Sequence, residues 1–139
     1  FVANNIRLYG SFTQNGQVSR EHYIYVGNIA AGATASYTFS MLSNDSVTAI
    51  TEVSGVEAGQ ICHYYRTIDT FYVTAASGLS LSAQSVDADV GVGTVAVAWT
   101  WSGTNKIRLT LTNNAASSIN SVTCRISFMS YRSSQLVKD

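Results

Sequence analysis

Two histidines, two cysteines and eight carboxylic acids are the groups in this chain that could do chemistry. His22 and His63 are accompanied by no Gly-x-Ser-x-Gly elbow, no His-Glu-x-x-His helix and no glycine-rich phosphate loop. Nucleophilic triads are defined by geometry in space, so a Ser/His/Asp or Cys/His set stays open, but nothing in the sequence marks one and no catalytic residue is assigned. Cys62 and His63 are neighbours in an extended segment, which sends their side chains to opposite faces and argues against a joint role.

The acids are Glu21, Asp45, Glu52, Glu57, Asp69, Asp87, Asp89 and Asp139. Glycoside hydrolysis needs two of them roughly 5 to 10 Å apart, and several sit near expected turns, where a solvated carboxylate is the plain reading. Asp87-Ala88-Asp89, followed by Gly91 and Gly93, faintly resembles a calcium-binding turn but lacks the further oxygen ligands and the closing Glu. It is read as a solvated loop. No metal ligand and no cofactor is expected. Cys62 and Cys124 stand in no zinc-type cluster and are expected as free, buried thiols, because Cys124 falls in phase with a core-facing row. The triplet Asn44-Asp45-Ser46 has the form of a glycosylation acceptor, which matters only in a eukaryotic secretory pathway.

Tyrosine is the more telling residue. Eight Tyr are present, concentrated in Tyr23-Ile24-Tyr25 and His63-Tyr64-Tyr65-Arg66. Consecutive Tyr64 and Tyr65 must face opposite sides of a strand, so one of them stays at a surface or an interface. Exposed Tyr beside Arg suits stacking on sugars or packing against a neighbouring subunit. Tyr23, Tyr25, Tyr64, Tyr65 and Arg66 are therefore the candidate ligand-binding residues.

The elements that hold these residues are extended. Val95, Val97, Trp99 and Trp101 alternate with Ala96, Ala98 and Thr100; Ile107, Leu109 and Leu111 alternate with Arg108 and Thr110; Val122, Cys124, Ile126 and Phe128 alternate with Thr123, Arg125 and Ser127. Period two is the signature of a strand with one buried face. The short Ser102-Gly103-Thr104-Asn105 link makes the first two an antiparallel hairpin, and the Asn113–Asn120 link is long enough to cross to an opposite sheet. Ile6, Leu8, Gly10 and Phe12 form another alternating set, as do Ala35, Tyr37, Phe39 and Met41. Tyr23–Val26, Val47–Val53, Gln60–Tyr65, Thr70–Val73 and Leu79–Leu81 complete the expected strands. Trp99 and Trp101 share a face with Val95 and Val97 and read as core.

Proline is absent, so the turns fall to Gly, Asn, Asp and Ser, with Asn15-Gly16, Gly32, Asn44-Asp45, Gly55, Gly59 and Gly78 among the expected breaks. No window carries a helical apolar stripe with a cap. The expected fold is all-β: an antiparallel β-sandwich, jelly-roll-like, of about eight to ten short strands.

At 139 residues this is one domain, 1–139. The start, Phe1-Val2-Ala3, has neither Met nor a basic leader and reads as the excised C-terminal piece of a longer chain. Eight basic residues balance eight acidic ones, so no field draws in a polyanion; neither nucleic acid nor membrane insertion is expected. Charged residues are only 12% of the chain, about half the usual share, which leaves a surface poorly protected against association and points to an oligomer.

Ile29-Ala30-Ala31-Gly32-Ala33-Thr34-Ala35-Ser36-Tyr37-Thr38-Phe39 resembles a phrase of the C-terminal β-sandwich domains of bacteriophage tailspikes and tail fibres. Asn105 to Asn114, Ser118-Ile119 and the strand from Val122 to Phe128 resemble the closing half of such domains. Members often carry a Pro in the first turn, which this chain lacks, and no β-helix precedes the domain. The resemblance implies a homotrimer in the virion tail, extracellular when attached to the host, that is not an enzyme and binds a host-surface glycan or protein beside other virion proteins. Two readings compete with this attachment role: a capsid decoration protein, and a secreted carbohydrate-binding module. Upstream sequence would separate them.

Overall fold

The computed structural model describes residues 11–14, 17–41, 45–57, 61–74, 78–90, 94–103, 105–130 and 137–139. They form ten strands and no helix: β1 (Ser11–Gln14), β2 (Gln17–Ile29), β3 (Thr34–Ser40), β4 (Asp45–Glu57), β5 (Ile61–Thr74), β6 (Gly78–Val90), β7 (Val95–Gly103), β8 (Lys106–Asn113), β9 (Ile119–Ser130) and β10 (Val137–Lys138). Two antiparallel sheets result, one of six strands in the order β1-β2-β9-β4-β5-β6 and one of four in the order β10-β3-β8-β7. The chain crosses between sheets after β2, β3, β6, β8 and β9. That repeated crossing is the jelly-roll feature, while β4, β5 and β6 run as a meander within the larger sheet.

The alternation read from the sequence is the burial seen in space. In β8 the inward row Ile107, Leu109 and Leu111 is fully buried, as are Cys124, Ile126 and Phe128 in β9. Between the sheets lies an aromatic cluster. Phe39 and Trp99 from the smaller sheet meet Phe71 and Phe128 from the larger, with ring centroids 5.2 to 5.8 Å apart. His22 adds an edge-on contact to Phe39 at 5.2 Å. Each such side chain withdrawn from water contributes roughly 1.5 to 3 kcal/mol before its ordering cost. Trp99 is core, and Trp101 packs against its edge.

The β7–β8 hairpin pairs Trp101 with Ile107 and turns through Asn105 at φ 59°. The link after β8 crosses to the larger sheet, anchored by Asn113. Its buried side-chain amide donates to the carbonyls of Ile29, Ala30 and Ser117 at 2.9, 3.2 and 2.9 Å, and its oxygen accepts from the Ala115 amide at 2.8 Å. One side chain thus ties the β2–β3 corner to the β8–β9 corner.

Three expectations need correction. Gly55 is no turn: it lies inside β4, where a Cβ would stand 2.5 Å from Cγ2 of Ile119. Close strand packing, not backbone reversal, explains it. The expected strands Gln60–Tyr65 and Thr70–Val73 are, apart from Gln60, which lies outside the described residues, parts of one strand, β5, which runs on through Thr67 and Asp69. Asp87-Ala88-Asp89 belongs to strand β6 and not to a loop. Ile6, Leu8, Gly10, Asn15-Gly16, Asn44, Gly59, Gly91 and Gly93 lie outside the described residues.

Candidate functional site

The outer face of the larger sheet gathers the candidate residues. Pairing sets Tyr25 beside Thr123, Thr123 beside Ser54 and Ser54 beside Tyr64; one step along, Tyr23, Arg125, Glu52 and Arg66 form the next row. Each row therefore crosses four strands, β2, β9, β4 and β5, a span of roughly 14 Å at about 4.8 Å per strand. Small Ser54 and Thr123 sit between large tyrosines, so the face is hollowed there. The depression has a volume of about 460 Å³ and is lined by Tyr23, Tyr25, Ser54, Tyr64, Thr123 and Arg125 among others. That volume is in the range of small-ligand sites.

Tyr23 and Tyr25 are each 73% exposed, far more than a ring held only for packing. The Arg125 guanidinium lies 5.7 Å from the Tyr23 ring centre. It also pairs with Glu21 at 2.8 Å and with Glu52 at 3.5 Å. Glu52 in turn meets Arg66 at 3.3 Å and accepts from the Tyr64 hydroxyl at 3.2 Å. The Tyr23 hydroxyl donates to Glu21 at 3.3 Å, and Ser54 and Thr123 share a hydrogen bond at 2.9 Å. The Arg125 hydrogen bond, more than any other contact, holds the Glu21 carboxyl below the usual carboxylate range. The same bond raises the Arg125 guanidinium. The charges of the face are paired among themselves.

Four of the five sequence candidates, Tyr23, Tyr25, Tyr64 and Arg66, share this face. Tyr65 does not: strand alternation turns it inward, where it packs against the core. Arg125, Glu52, Glu21, Ser54 and Thr123 were not singled out from the sequence. Their outward phase was visible there, in Arg125 alternating with Cys124 and Ile126, but which strand would lie alongside was not.

A second polar cluster closes one end of the sandwich. His63, only 3% exposed, meets Glu57 through Nε2 at 2.8 Å and Thr94 through Nδ1 at 2.7 Å. The Ser117 hydroxyl donates to Glu57 through a short bond. Ser117 first, then His63, lower the Glu57 carboxyl. A hydroxyl, an imidazole and a carboxylate in line have the connectivity of a nucleophilic relay. Here the imidazole is buried with both nitrogens engaged, so the line joins β4, β5, the approach to β7 and the β8–β9 link. Cys62 is on the opposite face, as strand alternation requires, and is exposed, not buried as expected. Cys124 is buried, and burial pushes its thiol up to about 12. Both cysteines are free thiols.

No protein-family model matches this chain, and no curated protein matches it. Among solved structures it is similar to the crystal structure of the Acinetobacter phage vB_ApiP_P1 tailspike protein, at 15% identity and a TM-score of 0.31. The alignment covers 98% of this chain and 24% of that one, so the chain spans about a quarter of that protein's length. The likeness to a phage tail protein is a loose one.

Proposed function

We propose that this chain is a virion attachment domain, the tip of a trimeric tail spike or fibre, whose outer sheet face holds a host-surface receptor and performs no catalysis. The observation that carries the reading is the convergence of Tyr23, Tyr25 and Tyr64 with Arg66 and Arg125 on one exposed, hollowed face. Exposed aromatic rings held on a rigid sheet offer contact area at low entropic cost, which is what a recognition surface needs. The tail assignment is supported by the resemblance of the Ile29–Phe39 and Asn105–Phe128 phrases to tail-tip sandwiches. The trimer is supported by the sparse charge and the high apolar content of the chain.

A glycan array probed with the wild-type chain, Tyr25→Ala and Tyr64→Ala tests the site. Binding that both substitutions leave intact removes the face from consideration. Mass measurement in solution at low concentration tests the assembly, and a monomer throughout argues against the trimer.

A further inference from the structure

We infer that the ligand of the outer face is an uncharged saccharide. The inference rests on the reading of this face as a receptor site and concerns what that site selects. Among the described residues, the two rows and the adjoining Glu21 carry two guanidinium groups, Arg66 and Arg125, and two carboxylates, Glu21 and Glu52. Two positive and two negative charges cancel. More decisively, each cation already faces a carboxylate: Arg125 is held between Glu21 and Glu52, and Arg66 leans on Glu52. A sialic or uronic acid would have to displace one of those carboxylates and then lie beside it, like charge against like. Such a site has no anion receptor to offer.

What it does offer fits neutral sugar. The Tyr25 ring is largely exposed and has no hydrogen-bond partner for its hydroxyl among the described residues. It can therefore present its face to the C–H side of a pyranose while the hydroxyl turns to water or ligand. Beside it, the hydroxyls of Ser54, Thr123 and Tyr64 and the Glu52 carboxylate are spaced along the hollow, able to give and accept hydrogen bonds with sugar hydroxyls. A protein partner would call for a broad patch with an apolar centre, on the order of 800 Å² per side. The hollow is small-ligand in scale, and its largely apolar, tyrosine-rich wall is set with a few hydroxyls.

The test is an array printed with neutral bacterial polysaccharides and with sialylated, uronate-bearing and sulfated ones, read with the wild-type chain, Tyr25→Ala and Glu52→Gln. Thermal melts establish that the variants are folded. The expected result is binding of neutral glycans at least tenfold tighter than of acidic ones, lost in Tyr25→Ala. Glu52→Gln removes the one carboxylate that Arg66 and Arg125 share, lowers the negative charge of the face by one, and should raise acidic relative to neutral binding several-fold. Tighter binding of acidic glycans that still depends on Tyr25 would overturn the charge selection and leave the receptor face standing. Binding of neither class, or binding that Tyr25→Ala does not touch, would overturn the receptor face and this inference with it.

Discussion

Arg125 on β9 serves Tyr23 on β2 as a cation 5.7 Å from its ring centre, while the same guanidinium is fixed 2.8 Å from Glu21. The arrangement is exposed, so its contribution to folding is small, about 0.2 to 1 kcal/mol for such a pair. Its role is to hold one face of the Tyr23 ring. Arg125→Ala should shift the urea midpoint by less than about 1 kcal/mol equivalent while weakening receptor binding several-fold. A loss of stability as large as the loss of binding would show that Arg125 is structural.

Asp69 carries a pH signature of the opposite sign to Glu21. It is buried, accepting from Thr67 at 2.8 Å and from Gln84 at 2.6 Å, and burial pushes its carboxyl above the ordinary range. A folded value above the unfolded one means that the native state favours the neutral acid. That contribution is complete below the unfolded value, near 3.9, and is lost as pH rises through the folded value. Asp69→Asn should therefore be more stable than wild type at pH 7, by something of order 1 kcal/mol, with the advantage disappearing toward pH 3. Urea titrations at the two pH values measure it, and an unchanged difference would exclude Asp69 as the source.

Asn113 fixes two corners with four side-chain hydrogen bonds while 1% exposed. Truncation leaves buried carbonyls and an amide without partners, at about 1 to 3 kcal/mol apiece where water does not reach. Asn113→Ala should cost about 2 to 4 kcal/mol in all, read as a lowered midpoint in chemical denaturation. A cost under about 0.5 kcal/mol, the usual range for a surface change, would mean the corners hold without it.

Gly55 faces Ile119 and Val122 so closely that an added Cβ would sit 2.5 and 3.0 Å from their methyls. Gly55→Ala should destabilise by about 1 to 3 kcal/mol through overpacking. Combined with Ile119→Ala it should cost less than the sum of the two single changes, because the second substitution removes the methyl that the first one strikes. Strict additivity in the double-mutant cycle would contradict the close contact.

Face was legible in the sequence; neighbourhood was not. The two-residue period placed Ile107, Leu109, Leu111, Cys124, Ile126 and Phe128 inside and turned Arg125 outward. The hairpin at Ser102–Asn105 and the crossing before β9 were likewise read from link length. Nothing local reveals that Val18 stands opposite Ser130, or that Tyr23 lies beside Arg125, because such pairing is chosen by the whole sheet. β5 was cut in two for a different reason. Its inward row carries Thr67 and Asp69, polar residues that are buried because they bond each other and Gln84, so the apolar alternation fades where the strand does not. β4 was ended early at Gly55, where a glycine that permits close packing looks like one that permits a turn. The tyrosines were recognisable by composition, and alternation alone parts Tyr65 from Tyr64, yet only the order of the strands shows that Tyr64 is the one that shares a face with Tyr23 and Tyr25.

β9, which stands inside the larger sheet between β2 and β4, is the last of that sheet's strands in chain order. Until β9 emerges, β2 and β4 have no common partner, and the hollow with its rows of tyrosine and arginine does not exist. Closing a pairing such as Val18 with Ser130 is the slow, long-range kind of step that retards β-rich domains. Meanwhile two open strand edges are available to other chains. A domain wired this way completes its larger sheet only once β9 has been made, and until then its nascent copies are most exposed to one another.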